Sequence, residues 1–310
     1  MAENTVKKIA TRESYGNSLK ELAEEFPNLV VLDADLAAAT KTGIFRKAYP
    51  DRHIDCGIAE SNMMGVAAGL SLVGKIPFVS SFAMFAAGRA FEQVRNSIGY
   101  PHLNVKIGAT HAGITVGEDG ATHQCNEDIA LMRTIPGMVV MCPSDDVEAR
   151  AAVRAALEYE GPVYIRFGRA AVPVINDHPG YHFEIGKGTV VREGKDVTIV
   201  ATGICVDSAL GAAKMLEEEG ISAEVVNICT IKPLDEEIII NSAKKTGKVV
   251  TVEEHSVIGG LGSAVCDCLC ANHPVPVKKV GMQDVFCESG SAAALVEKYG
   301  LDAQFLSEPR

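Results

Sequence analysis

Short apolar runs alternate with helical patterns along the entire sequence of 310 residues. Most of these runs are apolar throughout, which is typical of strands buried on both faces of a sheet. The predicted strands are Asn28–Asp33, Pro77–Ser80, Val105–Ala109, Val139–Met141, Val163–Arg166, Val197–Ala201, Ala223–Asn227 and Lys248–Val252. Strands that alternate with helices in this way predict an α/β protein with doubly wound parallel sheets.

A chain of this length is expected to fold as about two domains. The stretch after Arg169 holds two prolines, three glycines and no helical periodicity, so we interpret residues 171–186 as a linker. The two α/β domains then span residues 1–170 and 187–310. The second is expected to begin with a hairpin-like pair of strands joined at Glu193–Gly194–Lys195.

The net charge limits the kinds of molecule that the protein is expected to bind. Lys plus Arg total 29 against 40 for Asp plus Glu, which gives a formal charge of −11. That field repels nucleic acids and anionic membranes, and the absence of Trp leaves little material for stacking on bases. We therefore expect neither a nucleic-acid partner nor a membrane partner.

The cysteines and the amino-terminal sequence predict a cytoplasmic protein. The nine cysteines are scattered and odd in number, which favours reduced thiols, and the polar start of the chain lacks the apolar segment of a signal peptide. Cys266, Cys268 and Cys270 have helical neighbours and no second pair of ligands. Thiols packed on a helix are therefore favoured there over a zinc site.

Two glycine-rich segments look like nucleotide-binding loops but depart from them. Gly69–Lys75 resembles a phosphate-binding loop, yet Ile76 replaces the hydroxyl residue and the segment continues a helix. Gly259–Gly262 lies between a strand and a helix, but Val265 stands where a dinucleotide loop needs its third glycine. A tight turn with structural glycines is the favoured interpretation of the second segment.

Glu60 is the first candidate for chemistry. It follows Gly57 and stands near the start of a helix rich in Met, Gly, Val and Ala. One interpretation is a carboxylate that interacts favourably with the helix dipole. The other is an acid whose pKa is raised by desolvation, as a proton donor requires.

The second candidate is the segment after the strand Val105–Ala109. Residues 111–123 hold two histidines, two carboxylates and three glycines. Ligands bind at the carboxyl ends of strands in doubly wound sheets, and imidazoles can transfer protons or bind hydroxyls and phosphates. A small-molecule site is favoured over a zinc site from His111, His123 and Cys125, and over a purely structural loop.

Arg12 and Arg169 form a third, cationic group. Each lies at the end of a predicted element, where its guanidinium could bind a phosphate through two parallel hydrogen bonds. Arginines in such positions are otherwise ordinary surface residues.

Three segments of the sequence together resemble transketolase. They are HIDCGIAESNMMGVAAGLSLVGKIPFVSSFAMFAAGR from His53, ATHAGITVGEDGATHQ from Ala109 and GGLGSAV from Gly259. The resemblance covers nearly the whole chain but only the carboxyl-terminal half of a full-length transketolase. It implies the pyrimidine-binding domain of thiamine diphosphate enzymes followed by the transketolase C-terminal domain. The implied activity is the transfer of a two-carbon ketol unit between sugar phosphates.

The resemblance also implies a partner subunit. Thiamine diphosphate enzymes hold the diphosphate through a magnesium ion bound by a G-D-G sequence and a later Asn, and this chain contains no GDG. It is therefore similar to the second subunit of a split transketolase. The resemblance implies that the amino-terminal-half subunit provides most of the residues that bind magnesium. An α2β2 heterotetramer is the expected assembly, and no metal ligand is assigned to this chain.

Cofactor roles follow from matching positions. Glu60 matches the catalytic glutamate that hydrogen-bonds the aminopyrimidine nitrogen of thiamine diphosphate. Phe82 and Phe85 match the aromatic residues that pack against the pyrimidine, although SSFAMF is equally compatible with plain core. Asp35 matches a carboxylate near the cofactor at the subunit interface.

Substrate roles follow in the same way. His111 and His123 match residues that bind and polarise sugar oxygens, with His111 also counted as catalytic, and Asp119 matches one that binds a sugar hydroxyl. Arg12 and Arg169 match the residues that bind the distal phosphate.

Position 39 departs from the family, because Ala39 replaces a serine that contacts the phosphate there. Thr40 is the candidate substitute. The alternative functions are the β subunit of a 2-oxo acid dehydrogenase, a carboligase similar to deoxyxylulose-phosphate synthase, and a non-enzymatic scaffold subunit.

Overall fold

In the computed structural model, which describes residues 7–308, the strands form three sheets. The first half contains β1 (Lys8–Ala10), α1 (Thr11–Leu22), β2 (Leu29–Asp33), α2 (Ala37–Thr40), α3 (Gly43–Ala48), β3 (His53–Asp55), α4 (Glu60–Leu72), β4 (Ile76–Phe82), α5 (Phe91–Gln93), β5 (Lys106–Thr110), α6 (Asp128–Arg133), β6 (Val139–Met141), α7 (Asp146–Glu158), β7 (Val163–Arg166) and β8 (Ala171–Pro173). Short 3-10 segments lie at Pro50–Arg52 and Ile114–Asp119, and π-helical turns at Met84–Arg89 and Val94–Gly99.

The second half contains β9 (Thr189–Arg192), β10 (Val197–Ala201), α8 (Cys205–Glu218), β11 (Ala223–Asn227), β12 (Thr230–Lys232), α9 (Glu236–Thr246), β13 (Val249–Ser256), α10 (Leu261–Asn272), β14 (Val277–Met282), α11 (Ala292–Lys298) and α12 (Ala303–Ser307). All eight predicted strands are present. Four match residue for residue, and the other four differ at one or both ends. The α/β class predicted from the apolar runs is confirmed.

The larger sheet has seven strands in the order β12-β6-β7-β5-β4-β2-β3. The six strands from the first half are parallel to one another. Their carboxyl ends therefore meet at one edge, where Asp33, Phe82, Thr110 and Arg166 end β2, β4, β5 and β7. This is the edge at which parallel sheets bind ligands.

Strand β12 is the unexpected member of this sheet. It comes from the second half of the chain and pairs antiparallel with β6, with Thr230 opposite Met141. No pattern in the sequence marked it, since its three residues follow β11 almost directly. The larger sheet is therefore completed by both halves of the chain.

The smaller sheet has the order β14-β13-β10-β11-β9, and β9 is its antiparallel edge. The expected hairpin between β9 and β10 is wrong, because β9 pairs with β11. The connection passes tightly over the start of β11, where a side chain at Gly194 would collide with the amide nitrogen of Glu224. Lys195 and Asp196 both donate their amides to the carbonyl of Ser222, at 3.0 and 2.9 Å.

The segment 171–186 contains more order than a plain linker. It begins with β8, which pairs antiparallel with β1. Asp145, the capping residue of α7, then accepts the amides of Ile175 and Asn176, each at 2.8 Å. The segment is thus held to the first half by strand pairing and by hydrogen bonds from its amides to the Asp145 side chain.

The hydrophobic core runs from one half into the other. One cluster of buried side chains combines Met132 and Met138 of the first half with Leu261 and Val265 of the second. A buried polar contact joins the halves as well, because Asn227 donates to Glu148 at 2.8 Å. Within residues 7–308, no helix has both the length and the apolar character needed to cross a membrane.

Candidate active site

Glu60 is the first residue of α4, and its side chain is only 2% exposed. The turn that leads into the helix requires a left-handed backbone at Gly57, with φ of +69°. Arg89 donates to Oε2 of Glu60 at 2.9 Å, and the Ser81 hydroxyl donates to Oε1 at 3.4 Å. The structure therefore places a buried, charge-paired carboxylate where the sequence predicted a functional one. Sequence reasoning missed its partner, Arg89.

Aromatic rings form a wall beside this carboxylate. Phe82 ends β4 and Phe85 lies in the π-helical turn that follows, with their ring centroids 6.0 Å apart and nearly parallel. The guanidinium of Arg89 lies over the Phe85 ring at 4.4 Å. The His123 ring is oriented edge-on to the Phe85 ring, with the two ring centroids 5.5 Å apart. Phe85 and His123 are both only half-buried, so this wall is open to a ligand.

His111 stacks on the opposite end of the wall, with its ring centroid 3.9 Å from that of Phe82. Arg12 donates to Nε2 at 3.0 Å, which leaves the ring proton on Nδ1, where Thr110 Oγ1 lies at 2.9 Å. Burial, reinforced by the charges of Arg12 and Arg169, lowers the pKa of His111 to about 3. The imidazole is thus neutral at physiological pH, and both its nitrogens are held in fixed directions.

The two arginines lie near His111 but are held differently. Arg12 is half-buried at the start of α1 and also donates to the carbonyl of Ala39 at 2.9 Å. Arg169 donates to the carbonyl of Val116 and pairs with Glu118 at 3.1 Å. Burial and the charge of Arg169 lower the pKa of Arg12. Two guanidinium groups therefore share one small region of an acidic protein.

The second half of the chain holds the histidine-bearing segment in place. Glu254 of β13 is 3% exposed and accepts the amide of Thr115 at 2.6 Å. Arg166, at the end of β7, donates both to the carbonyl of Cys125 at 3.2 Å and to that of Glu254 at 2.7 Å. Asp128 pairs with the same guanidinium at 2.9 Å. We define the active-site loop as residues 111–126; it is anchored near both ends by this network.

Three candidates from the sequence stand outside these contacts. Asp35 is exposed after the end of β2, with its own amide donating to Asp55 at 3.1 Å. Asp119 is exposed at the end of the 3-10 segment in the active-site loop. The Thr40 hydroxyl is buried and donates to Asp33 at 2.9 Å, so it is engaged inside the protein and not directed at a ligand.

A side chain of the protein itself occupies the Gly259–Gly262 turn. Glu253 accepts the amides of Leu261 and Gly262 at 2.6 and 2.8 Å, so a carboxylate already fills the helix start. A side chain at Gly260 would collide with Oε2 of Glu253, which explains the glycine. The structural interpretation of this turn is confirmed. Across residues 7–308, no three His, Cys, Asp or Glu side chains are grouped so as to hold a metal ion.

A cavity of ≈ 760 Å³ extends from the aromatic wall toward the second half of the chain. Phe85 and Arg89 line it on one side, and the segment from Met282 to Cys287 lines it on the other. Phe286 on that segment is 95% exposed. The cavity therefore adjoins the aromatic wall at Phe85 and reaches Arg89, the ion-pair partner of Glu60.

Two family models match the chain. The transketolase pyrimidine-binding domain matches residues 7–174, and the transketolase C-terminal domain matches residues 186–305. The chain is 52% identical over 299 residues to a putative transketolase C-terminal section of Methanocaldococcus jannaschii, covering 96% of this chain and 94% of that protein. It is 50% identical over 293 residues to a 6-deoxy-6-sulfo-D-fructose transketolase subunit of a Clostridium species, covering 94% and 91%.

Among solved structures, a split-gene transketolase described as an inactive β4 tetramer superimposes with a TM-score of 0.89. It is 58% identical, with 97% of this chain and 96% of that chain covered. Both family models and the fold agree with the resemblance carried by the Glu60 segment and the active-site loop. The chain belongs to the transketolase family and has the family's pyrimidine-binding and C-terminal domains.

Proposed function

We propose that this chain is one subunit of a split transketolase that transfers a two-carbon ketol unit between sugar phosphates with thiamine diphosphate. The observation that carries the proposal is the line of contacts from Glu60 through Arg89, Phe85 and Phe82 to His111. It sets a buried carboxylate, an aromatic wall and a neutral imidazole side by side. These are the groups that a pyrimidine ring and a neighbouring sugar require.

The residues present fit one end of thiamine diphosphate. Glu60 offers a buried carboxylate for a ring nitrogen, and Phe82 with Phe85 offers an aromatic surface for the ring itself. When bound, thiamine diphosphate supplies the nucleophilic carbon that accepts the ketol unit. The part of this chain is to orient the ring and to hold a proton at the Glu60 carboxyl group.

Substrate binding is proposed for the active-site loop and the two arginines. His111, neutral and fixed by Arg12, would hydrogen-bond a sugar oxygen, and His123 would do so from the edge of Phe85. Asp119 is exposed for a sugar hydroxyl. Arg12 and Arg169 would bind the distal anionic group by charge-assisted hydrogen bonds. One relative is named for a sulfonated sugar, whose terminal anion presents the same chemistry as a phosphate.

We further propose that a separate amino-terminal-half subunit supplies the magnesium site and the diphosphate contacts, as the absence of a GDG sequence suggests. The outer face of α4 supports such a partner, since Val66 and Leu72 are 36% and 73% exposed. Gly65 and Gly69, on the same helix, have open space where a side chain would stand. An apolar helix face of this kind is suited to packing against another protein. Asp35, exposed after the end of β2, would lie near the cofactor at that interface.

The assembly proposed is an α2β2 heterotetramer. The solved relative described as an inactive β4 tetramer supports the idea that copies of this subunit alone do not suffice. All nine cysteines are free thiols, which supports a reducing, cytoplasmic location.

The test is co-expression with a partner chain that carries the GDG and Asn residues, followed by assay with xylulose 5-phosphate and ribose 5-phosphate. We expect turnover only from the complex. Glu60→Gln should lower kcat by about a thousandfold or more, because it removes the group that holds the proton. Glu92→Gln, a change at an exposed glutamate in α5, is the matched control and should leave the rate unchanged.

Three results would contradict the proposal. Turnover by the isolated chain with thiamine diphosphate and magnesium would refute the need for a partner. Near-normal rates for Glu60→Gln in an intact complex would refute the proton role. Activity with pyruvate in place of the ketose phosphate would favour the 2-oxo acid or deoxyxylulose-phosphate alternatives.

A further inference from the structure

Arg89 contacts both groups that the proposed function assigns to the cofactor ring. Its Nη1 donates to Oε2 of Glu60 at 2.9 Å, and its guanidinium carbon lies 4.4 Å from the centre of the Phe85 ring. A flat cation thus lies against the buried carboxylate and over the aromatic face together. A pyrimidine ring bound by Glu60 and stacked in this wall would need the same two surfaces.

The backbone around Arg89 is suited to a side chain that moves. Met84–Arg89 is a π-helical turn, a feature frequently found at functional sites, and it closely follows β4. The Arg89 side chain is 51% exposed, whereas that of Glu60 is 2% exposed. Arg89 can therefore swing into solvent without disturbing the core, but Glu60 cannot leave its position.

The ion pair also gives the buried Glu60 carboxylate a counter-charge in the subunit without cofactor. A buried carboxylate without a partner is strongly unfavourable, and within residues 7–308 the only donor to Glu60 besides Arg89 is the Ser81 hydroxyl, at 3.4 Å. Arg89 supplies the missing positive charge from the surface. A ring that stacks on Phe85 and binds Oε2 of Glu60 needs the space that the Arg89 guanidinium now occupies.

We propose that Arg89 is a displaceable stand-in that satisfies Glu60 and covers Phe85 until the cofactor ring takes its place. This inference rests on the proposed function, and it concerns a residue with no assigned role in that function. Arg89 lowers the affinity for the cofactor and stabilises the isolated subunit against unfolding. It is a positioning residue of the resting state and takes no part in the chemical step.

The cofactor test measures thiamine diphosphate affinity by calorimetry on the complex with the partner subunit and magnesium. Arg89→Met should tighten binding by about 3- to 10-fold, because the ring no longer displaces an ion pair of moderate strength. In a Glu60→Gln background the same substitution should have no such effect. Arg95→Ala, which changes an exposed arginine of the next π-helical turn, is the control and should leave affinity unchanged.

The isolated subunit gives a second readout that does not depend on the cofactor. Arg89→Met should lower its unfolding temperature when Glu60 is present, since the buried carboxylate loses its counter-charge. The loss should be smaller in the Glu60→Gln background, where no carboxylate is left to be paired.

Unchanged or weaker cofactor binding in Arg89→Met would overturn the stand-in role while leaving the proposed function intact. Equal unfolding losses with and without the Glu60→Gln substitution would likewise overturn it, because the pair would then not be what Arg89 stabilises. If the unmodified complex bound no thiamine diphosphate, the proposed function itself would fail, and this inference with it.

Discussion

Replacing Glu254 by glutamine tests whether the second half of the chain holds the active-site loop in position. Glu254 accepts the Thr115 amide at 2.6 Å, and its other oxygen lies 3.9 Å from Arg166 Nη1. Glutamine keeps the shape and can still accept the amide, but it removes the charge. The substitution therefore weakens one anchor of the loop without opening a cavity.

The size of the effect follows from two contributions. A buried hydrogen bond to a charged acceptor is worth about 1 kcal/mol more than a neutral one. The lost attraction to Arg166 is about 4 kcal/mol at an effective dielectric constant of 20, but most of it is offset by the removed desolvation penalty of the carboxylate. Asp128 still pairs with Arg166, so the net loss is about 2 kcal/mol. For a chain of 310 residues that lowers Tm by about 3 °C.

Glu253 provides the matched control. It is the adjacent residue on β13 and equally buried, but it binds the amides of Leu261 and Gly262 and not the active-site loop. Burial raises its pKa to about 7, so it is partly neutral near that pH and glutamine resembles its protonated form. Because the glutamine nitrogen cannot accept a hydrogen bond from an amide, Glu253→Gln loses one of these two bonds; it should cost about 2 kcal/mol and leave activity unchanged.

The assays are thermal unfolding of the isolated chain, followed by circular dichroism, and ketol transfer by the complex. Because small displacements of positioned groups reduce rates strongly, Glu254→Gln should lower kcat/KM by about 10- to 100-fold. Equal losses of activity in the Glu253 and Glu254 variants would refute the reasoning, since only one of the two residues touches the loop. So would full activity in Glu254→Gln.

Three further predictions concern pH, assembly and substrate binding. His111, whose pKa is lowered to about 3, stays neutral in the folded chain while the unfolded imidazole takes up a proton below about pH 6.5, so the folded state loses stability as pH falls from 6.5. His111→Gln should therefore make the loss between pH 7 and pH 5 smaller in urea unfolding; an unchanged loss would count against a neutral His111. Leu72→Glu, on the outer face of α4, should weaken association with the partner by at least about tenfold in calorimetry while shifting the stability of the isolated chain by less than about 0.5 kcal/mol; normal association would place the interface elsewhere. Arg12→Lys should raise KM for phosphorylated sugars by about tenfold, since Nη1 of Arg12 alone donates to Ala39 and His111 and an ammonium cannot offer a phosphate the two parallel donors of a guanidinium. It should affect unphosphorylated ketoses less; equal effects on both substrates would argue against a phosphate contact.

Local sequence patterns predicted many of the strands and the fold class, because these features depend mainly on residues that are close together in the sequence. The buried strands are apolar runs, so Val163–Arg166 and Ala223–Asn227 were located to the residue. Glu60 and His111 stand out because polar groups in small-residue and glycine-rich surroundings are unusual. The resemblance to transketolase then gave roles that composition and periodicity do not contain.

The contacts that could not be predicted from the sequence join residues that lie far apart along the chain. Arg89 lies 29 residues from Glu60, and Glu254 lies 139 residues from Thr115. Neither pair leaves a periodic pattern. The hairpin at Glu193–Lys195 was wrong for the same reason, because a turn signal does not say which strand the chain will join. Only the packing of β9 beside β11 decides that.

Strand β12 has a consequence for how the chain can be divided. By pairing with β6, it covers the edge of a sheet that otherwise belongs to the first half. A fragment ending near residue 186 would leave β6 with a bare row of amides and carbonyls, together with the apolar surface that Ile231 covers. Exposed edges of this kind recruit strands from other molecules. A fragment of the first half is therefore expected to associate more readily than the whole chain does, and recombining this half with others would have to include the three residues of β12.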